Sequence, residues 1–283
     1  MHPISEPDVT ENEDKKMKYS KETILLTQEQ KQNIIREEDE FPKLFADYVE
    51  KDYGILFFNE ANKDSYDSNH AVIYPERISD LAGVLQQITA FYREKKITPL
   101  IYHPPVKDYL KENEDIFRAC GYEVTIEECN RITLLTEAST IVPDGSLTVR
   151  QLTEWDPRIG RDILIPNNEA YEIPVGERSM QHENSRLFVG YRGDKAVVYV
   201  IFHISPYGTT RFDYVDTAWD ERKKGYGRQI SHVVMTYCRE QNLPLCATWF
   251  ANPTSERMNM EAGFRFTDLV LEHGYATYKG ESL

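Results

Sequence analysis

The spacing of apolar residues changes period several times after residue 145, and each change predicts an element. SLTVRQL (Ser146 to Leu152) alternates apolar and polar as a half-buried strand does, and a polar, helix-prone region follows through about Tyr171. RLFVGY and KAVVYVIFHI flank the turn RGDK, which predicts a hairpin; its second strand is almost wholly apolar and therefore central. TTRFDYVDTAW reads as another strand and runs directly into ERKKGYGRQ (Glu221 to Gln229). From Tyr226, the residues Ile230, Val233, Val234, Tyr237 and Cys238 fall on one face of a helix. Pro244 ends the connection and LCATWF is a strand. NPTSERMNMEA is a short helix with Asn252 as its N-cap, Pro253 in its first position and Gly263 closing it. FRFTDLVLE and GYATYKG are the last two strands.

The first half ends in a similar order. Apolar positions at Ile78, Leu81, Leu85, Ile88 and Tyr92 predict a helix, and KKITPLIYH compares with QNLPLCATW further on. Another helix runs to RACGYEV, which compares with MEAGFRF, and NRITLLTE ends the unit as a strand. One helix–strand–helix–Gly–aromatic–strand pattern thus occurs twice, about 140 residues apart, which points to a duplicated fold; chance likeness between α/β units is the plain alternative. The chain divides into a polar, disordered tail over 1–20, a unit over 21–140 and a unit over 146–283, with the boundary in TEASTIVPDGS (Thr136 to Ser146).

Composition narrows the setting. The 283 residues are 40% hydrophobic, enough for a core, and no apolar run approaches the roughly 20 residues of a membrane span. The polar N-terminus lacks the basic start and apolar stretch of a secretory signal. Cys120, Cys129, Cys238 and Cys246 show no C-x-x-C spacing, which suits reduced thiols in a cytoplasmic protein, two of them as core filler. A net charge of -14 argues against a nucleic-acid surface. It also makes the four cations of ERKKGYGRQ conspicuous.

That segment follows a strand and opens an amphipathic helix. Glycines at 225 and 227 allow a tight turn and close approach of a ligand, the first helical N–H groups lack partners within the helix, and Lys223, Lys224 and Arg228 add mobile charge. Such a site suits a pyrophosphate. Neither the P-loop pattern nor the G-x-G-x-x-G dinucleotide fingerprint is present. R-x-x-G-x-G between a strand and a long helix, then a strand, then Asn252, Ser255, Gly263 and Phe264 in the order N-x-x-S-x-x-x-x-x-x-x-G-F, resembles the GCN5-related N-acetyltransferases (GNAT family) over residues 146–283. The first half resembles a degenerate copy: it has Gly121-Tyr122 but carries YPERISDLAG where the glycine loop would be.

The resemblance implies an α/β fold of tandem units, each a central mixed sheet flanked by helices, and an enzyme that moves an acetyl group from acetyl-CoA to a primary amine of a small molecule or peptide. It implies that Arg222, Lys223, Lys224, Gly225, Tyr226, Gly227 and Arg228 hold the cofactor's pyrophosphate, and that the backbone of Val215, Asp216, Thr217 and Ala218 pairs with the pantetheine arm. Asn252 and Ser255 would stand at the next cofactor contact, with helix capping an equally good account of Asn252. No metal is implied. Many relatives have a tyrosine where this chain has Asn259, so acid catalysis from that position is not implied. Trp219 stands where proline is common.

Asp213, Glu169 and Glu172 are candidates for the base, and for each a solvated surface charge is the plainer reading. His203 reads as a satisfied histidine at a strand end, and DSYDSNH (Asp64 to His70) as a polar turn lacking the glycine and glutamate of a calcium loop. The second unit is expected to bind acetyl-CoA and the first to complete the acceptor pocket or serve as scaffold, in a monomer or homodimer. Transfer of a larger acyl group, a non-catalytic acyl-CoA-binding module and a nucleotide-binding protein are the alternatives.

Overall fold

A computed structural model of the protein describes residues 23–102, 106–126, 130–249 and 252–280, apart from the side chains of Asn130, Asp213 and Tyr214. The expected tail over 1–20 and Cys129 lie outside the described residues. Helix α1 (Gln28–Glu40) starts at a capping box in which Thr27 accepts from the Gln30 amide and the Gln30 side chain returns the bond. A single 3-10 turn leads into the hairpin β1 (Asp47–Lys51) and β2 (Gly54–Phe58), followed by β3 (Ala71–Ile73). Helix α2 (Leu81–Glu94) presents Leu81, Val84, Leu85, Ile88 and Tyr92 inward at helical spacing, while Ile78 stands before the helix rather than in it. The half continues with β4 (Leu100–Tyr102), α3 (Tyr109–Glu112), α4 (Glu114–Ala119) and β5 (Tyr122–Ile126).

After β6 (Asn130–Leu135) the second half begins with β7 (Thr148–Leu152). Helix α5 (Pro157–Ile159) runs into a π-helical turn, and α6 (Ile173–Ser179) carries the helical region beyond Tyr171. Then come β8 (Ser185–Arg192), β9 (Lys195–Ile204), β10 (Thr210–Thr217), α7 (Tyr226–Glu240), β11 (Cys246–Thr248), α8 (Pro253–Ala262), β12 (Phe264–Leu271) and β13 (Gly274–Tyr278). Eight of the ten residues of β9 are buried, as its apolar run requires of a central strand.

Two mixed sheets result, of order β1-β2-β3-β4-β13-β5 and β12-β6-β11-β10-β9-β8-β7. Each contains a strand from the other half of the chain. β6 leaves the first half to lie antiparallel between β11 and β12, and β13 returns to lie antiparallel between β4 and β5. The break in sequence near residue 140 is therefore crossed twice in space. Helix α1 also crosses it: Ile34 packs with Ile132, Leu134, Ala247 and Leu269 of the second sheet.

Four further clusters are formed among the described residues. α2 covers the first sheet through Leu85, Ile88 and Tyr92 against Leu56 and Ile101. On the second sheet, α7 packs Ile230 and Val234 onto Val198, Val200 and Phe202. The opposite face lies beneath α5 and the π-turn, where Ile159 and Ile163 meet Leu187 and Tyr199. The two sheets meet where Val175 of α6 enters a cluster of Phe41, Phe45, Ile55, Phe57 and Val72.

Candidate functional site

β10 is paired along its whole length with β9 on one edge, but on the other it pairs with β11 only at Thr210 and Arg211. A register shift between Phe212 and Tyr214 leaves Asp213 as the extra residue of a bulge. Beyond it the two parallel strands separate, so backbone groups of β10 from Val215 onward face a gap instead of a neighbouring strand. A sheet edge left open in this way offers its N–H and C=O groups to whatever extended chain lies beside it.

The gap leads to the start of α7. A 3-10 turn at Trp219–Glu221 ends β10, and the chain enters the helix through Gly225 at φ 84. An added Cβ at Gly225 would meet nothing, so the left-handed backbone, not crowding, calls for glycine there. At Gly227 a Cβ would come within 3.3 Å of Met258 Sδ and 3.8 Å of Thr217 Oγ1, between the helix start, α8 and the end of β10. No side chain caps α7. The first-turn N–H groups, with the positive end of the helix dipole, face outward without a side-chain acceptor.

The flanking cations are less mobile than the sequence suggests. The Arg222 guanidinium folds back to donate to the Thr217 carbonyl at 3.1 Å and to Asp216 at 3.3 Å. Lys224 pairs with Glu221 at 2.8 Å and Arg228 with Glu261 at 2.6 Å. Lys223, exposed and at φ 63, makes no ion pair among the described residues. Trp219 is exposed and stacks with Arg222, 4.8 Å from guanidinium carbon to ring centre. In the first sheet the matching junction differs: the Asp80 carboxylate accepts from the Gly83 amide at 3.0 Å and closes the start of α2.

The carboxylates singled out from the sequence fall in different places. Glu169 is half-buried rather than solvated; burial first, then the adjoining Asp216, raises its pKa to about 7. Asp216 is itself held by Asn167, whose amide donates at 2.8 Å and whose carbonyl accepts from the Trp219 amide at 2.9 Å. Glu172 is buried at the start of α6, again not a surface charge. Asp213 stands at the bulge, and its side chain lies outside the described residues. His203 is buried on β9 with Nδ1 unbonded, so it is not the satisfied histidine expected; burial lowers its pKa to about 4. Asn252 and Ser255 form a capping box on α8, with Asn252 accepting from the Thr254 and Ser255 amides at 3.0 Å. Asn259 is buried in the same helix. Cys238 and Cys246 are buried thiols, and Asp64 to His70 forms a turn.

A cavity of about 330 Å³ between the two sheets had no counterpart in the sequence pattern. Arg211, the last β10 residue paired with β11, and Trp249, just past the end of β11, line it at the root of the gap. Glu38 on α1 grips Arg211 through two hydrogen bonds of 2.9 and 3.1 Å, and the guanidinium lies 3.8 Å over the Phe41 ring. A row of rings runs from the first sheet to the second: His70 to Tyr102 at 5.5 Å, Tyr102 to His273 at 6.0 Å and His273 to Trp249 at 5.4 Å. Burial lowers the pKa of both histidines, that of His273 to about 4, so the row is neutral at pH 7. Among the described residues no group of three potential ligands could hold a metal ion, and no helix is long and apolar enough to cross a membrane.

No protein-family model and no curated protein sequence matches the chain. Solved structures do. A GCN5-related N-acetyltransferase from Kribbella flavida aligns at a TM-score of 0.58 and 12% identity, over 89% of this chain and 95% of that one. A GCN5-related N-acetyltransferase-like protein from Streptococcus suis aligns at 0.51 and 14%, over 88% and 98%. A conserved Staphylococcus epidermidis protein described as functionally unknown aligns at 0.52 and 11%, over 83% and 95%. The chain has the GNAT fold. Because these alignments run through most of the chain, the likeness takes in both sheets.

Proposed function

We propose that the protein is an acetyl-CoA-dependent N-acetyltransferase. The observation that carries the reading is the uncapped start of α7 beside the unpaired edge of β10. The amides of Tyr226, Gly227 and Arg228 would bind the diphosphate of coenzyme A, with Lys223 as the cation not already committed to a carboxylate. The pantetheine arm would lie along Val215 to Ala218, bringing the thioester to the bulge at Asp213.

There the chemistry is direct transfer. The acceptor nitrogen gives up a proton and attacks the thioester carbonyl, a backbone N–H at the bulge stabilises the oxyanion, and the C–S bond breaks to release thiolate. Of the three sequence candidates for the base, Asp213, at the bulge, would stand level with the thioester. Glu169 sits with Asp216 and Arg222, toward the end that would hold the diphosphate. With Asn259 in place of a tyrosine, the thiolate takes its proton from water or leaves as the anion. That substitution also supports a second reading, a non-catalytic acyl-CoA-binding module.

Calorimetric titration with coenzyme A tests the site, and thiol release across a panel of amines tests the activity. Binding and release that both disappear in a folded Gly225→Glu variant support the enzyme. Binding with no release from any amine supports the module, and no binding by the wild type sinks both.

A further inference from the structure

We infer that the cavity between the sheets takes a small ammonium compound with an apolar body, held by Asp39 of α1. The inference rests on the acetyl-CoA reading and adds the acceptor's class and the residue that recognises it.

Position comes first. Arg211 and Trp249 line the cavity where β10 and β11 part, at the end of the gap that the thioester would reach. Its volume is at the lower end of the range of about 300–1,000 Å³ for small-molecule sites. Phe45, Val72, Tyr102, Val175 and Trp249 line much of it, surfaces that suit a hydrocarbon or aromatic body.

Charge comes second. Four carboxylate residues line the cavity against one lysine and one arginine. Three of the four are occupied: Glu38 with Arg211, Glu272 with the Asp108 amide at 2.9 Å, and Asp67 through a contact of its own. Asp39 differs. It is 9% exposed, stands in the wall between this cavity and a second one lined by Tyr74, Glu76 and Arg77, and has no hydrogen bond or ion pair among the described residues. A buried carboxyl with no partner is costly to ionise until a cation arrives beside it. Burial, reinforced by Glu38, Glu40 and Glu76, accordingly raises its pKa to about 8.

The cation is organic. No set of three metal ligands converges among the described residues, whereas the rings of Tyr102 and Trp249 in the lining suit an organic body. A long polyamine would bring further charges against apolar walls.

The test is calorimetry on the full chain saturated with coenzyme A, using 2-phenylethylamine as probe, 2-phenylethanol as its uncharged counterpart and spermine as the long polyamine. The wild type should bind the amine at least tenfold more tightly than the alcohol or spermine. In Asp39→Asn that preference over the alcohol should fall to about twofold, with alcohol and coenzyme A affinities unchanged. A structural role for Asp39 would not erase the amine-to-alcohol ratio. Should Asp39→Asn fail to fold, Ile35→Phe narrows the cavity from the same helix and should weaken 2-phenylethylamine at least tenfold. Unchanged amine binding in the folded variant, preference for spermine, or no amine binding to protein that does bind coenzyme A overturns this inference alone. Failure to bind coenzyme A overturns the reading beneath it as well.

Discussion

Two strand-to-helix junctions occupy corresponding places in the two sheets and have opposite electrostatics. After β3, Asp80 closes α2 with a carboxylate, and a Cβ on Gly83 would come within 2.4 Å of it. After β10, Gly225 leads into α7 with no cap at all. A cap contributes about 1 kcal/mol to a helix. α7 does without that stabilisation and relies on its apolar face, buried through Ile230 and Val234. An anion site in this fold is therefore made by withholding a side chain, and removed by supplying one.

The comparison can be broken most severely by separating its two sides. Residues 23–140 and 141–280 expressed apart should each fail to give a cooperative thermal transition, because each sheet needs a strand from the other segment; mixing them should restore one. A sharp transition in either fragment alone would show that the exchange is dispensable. Next in size, Gly225→Glu puts a carboxylate where α7 has none and should weaken coenzyme A by at least thirtyfold, about 2 kcal/mol, read by calorimetry. An unchanged Kd would show that the two helix starts do not differ in function.

A smaller effect concerns pH. Burial raises Glu37 to about 7 and Asp39 to about 8, against Arg211 and a Ser205 hydrogen bond at Glu37 and with Glu38, Glu40 and Glu76 adding like charge around α1. Each folded-state pKa exceeds the unfolded value. At these two groups the folded chain therefore holds protons the unfolded chain has shed, and their contribution to stability falls as pH rises from about 4 to about 8. From about pH 6.5 to 8, above the range in which buried His203 and His273 act in the opposite sense, the wild-type Tm should drop by about 5 °C, and the drop should shrink in a Glu37→Gln, Asp39→Asn double variant. Smallest of all, Asp80→Ala should cost about 1 kcal/mol of stability and leave coenzyme A affinity untouched.

Legibility followed local periodicity. α2, α7 and the β8–β9 hairpin showed in the sequence because their buried faces repeat at a fixed spacing, and α8 because Asn252, Pro253 and Gly263 mark its ends. α1 did not. Its inner face combines Ile34 with Glu37 and Asp39, so the burial pattern is hidden behind charge, and only Thr27 and Gln30 of its capping box mark its start. The glycine loop was legible because an αL residue and a bare helix start need particular residue types. The cavity was not, since Arg211, Trp249, His70 and His273 come together only through pairing of distant strands. Nor could composition show that Lys224 and Arg228 would be tied to Glu221 and Glu261.

The exchanged strands also set a schedule for synthesis. The first sheet has four of its strands and its edge β5 available early, yet the slot between β4 and β5 stays vacant until Gly274–Tyr278 has left the ribosome. Nascent chains commonly fold from the N-terminus as each domain emerges. Here β4 and β5 must wait for a segment translated long after them, and a chain interrupted before it carries an unfilled slot between them.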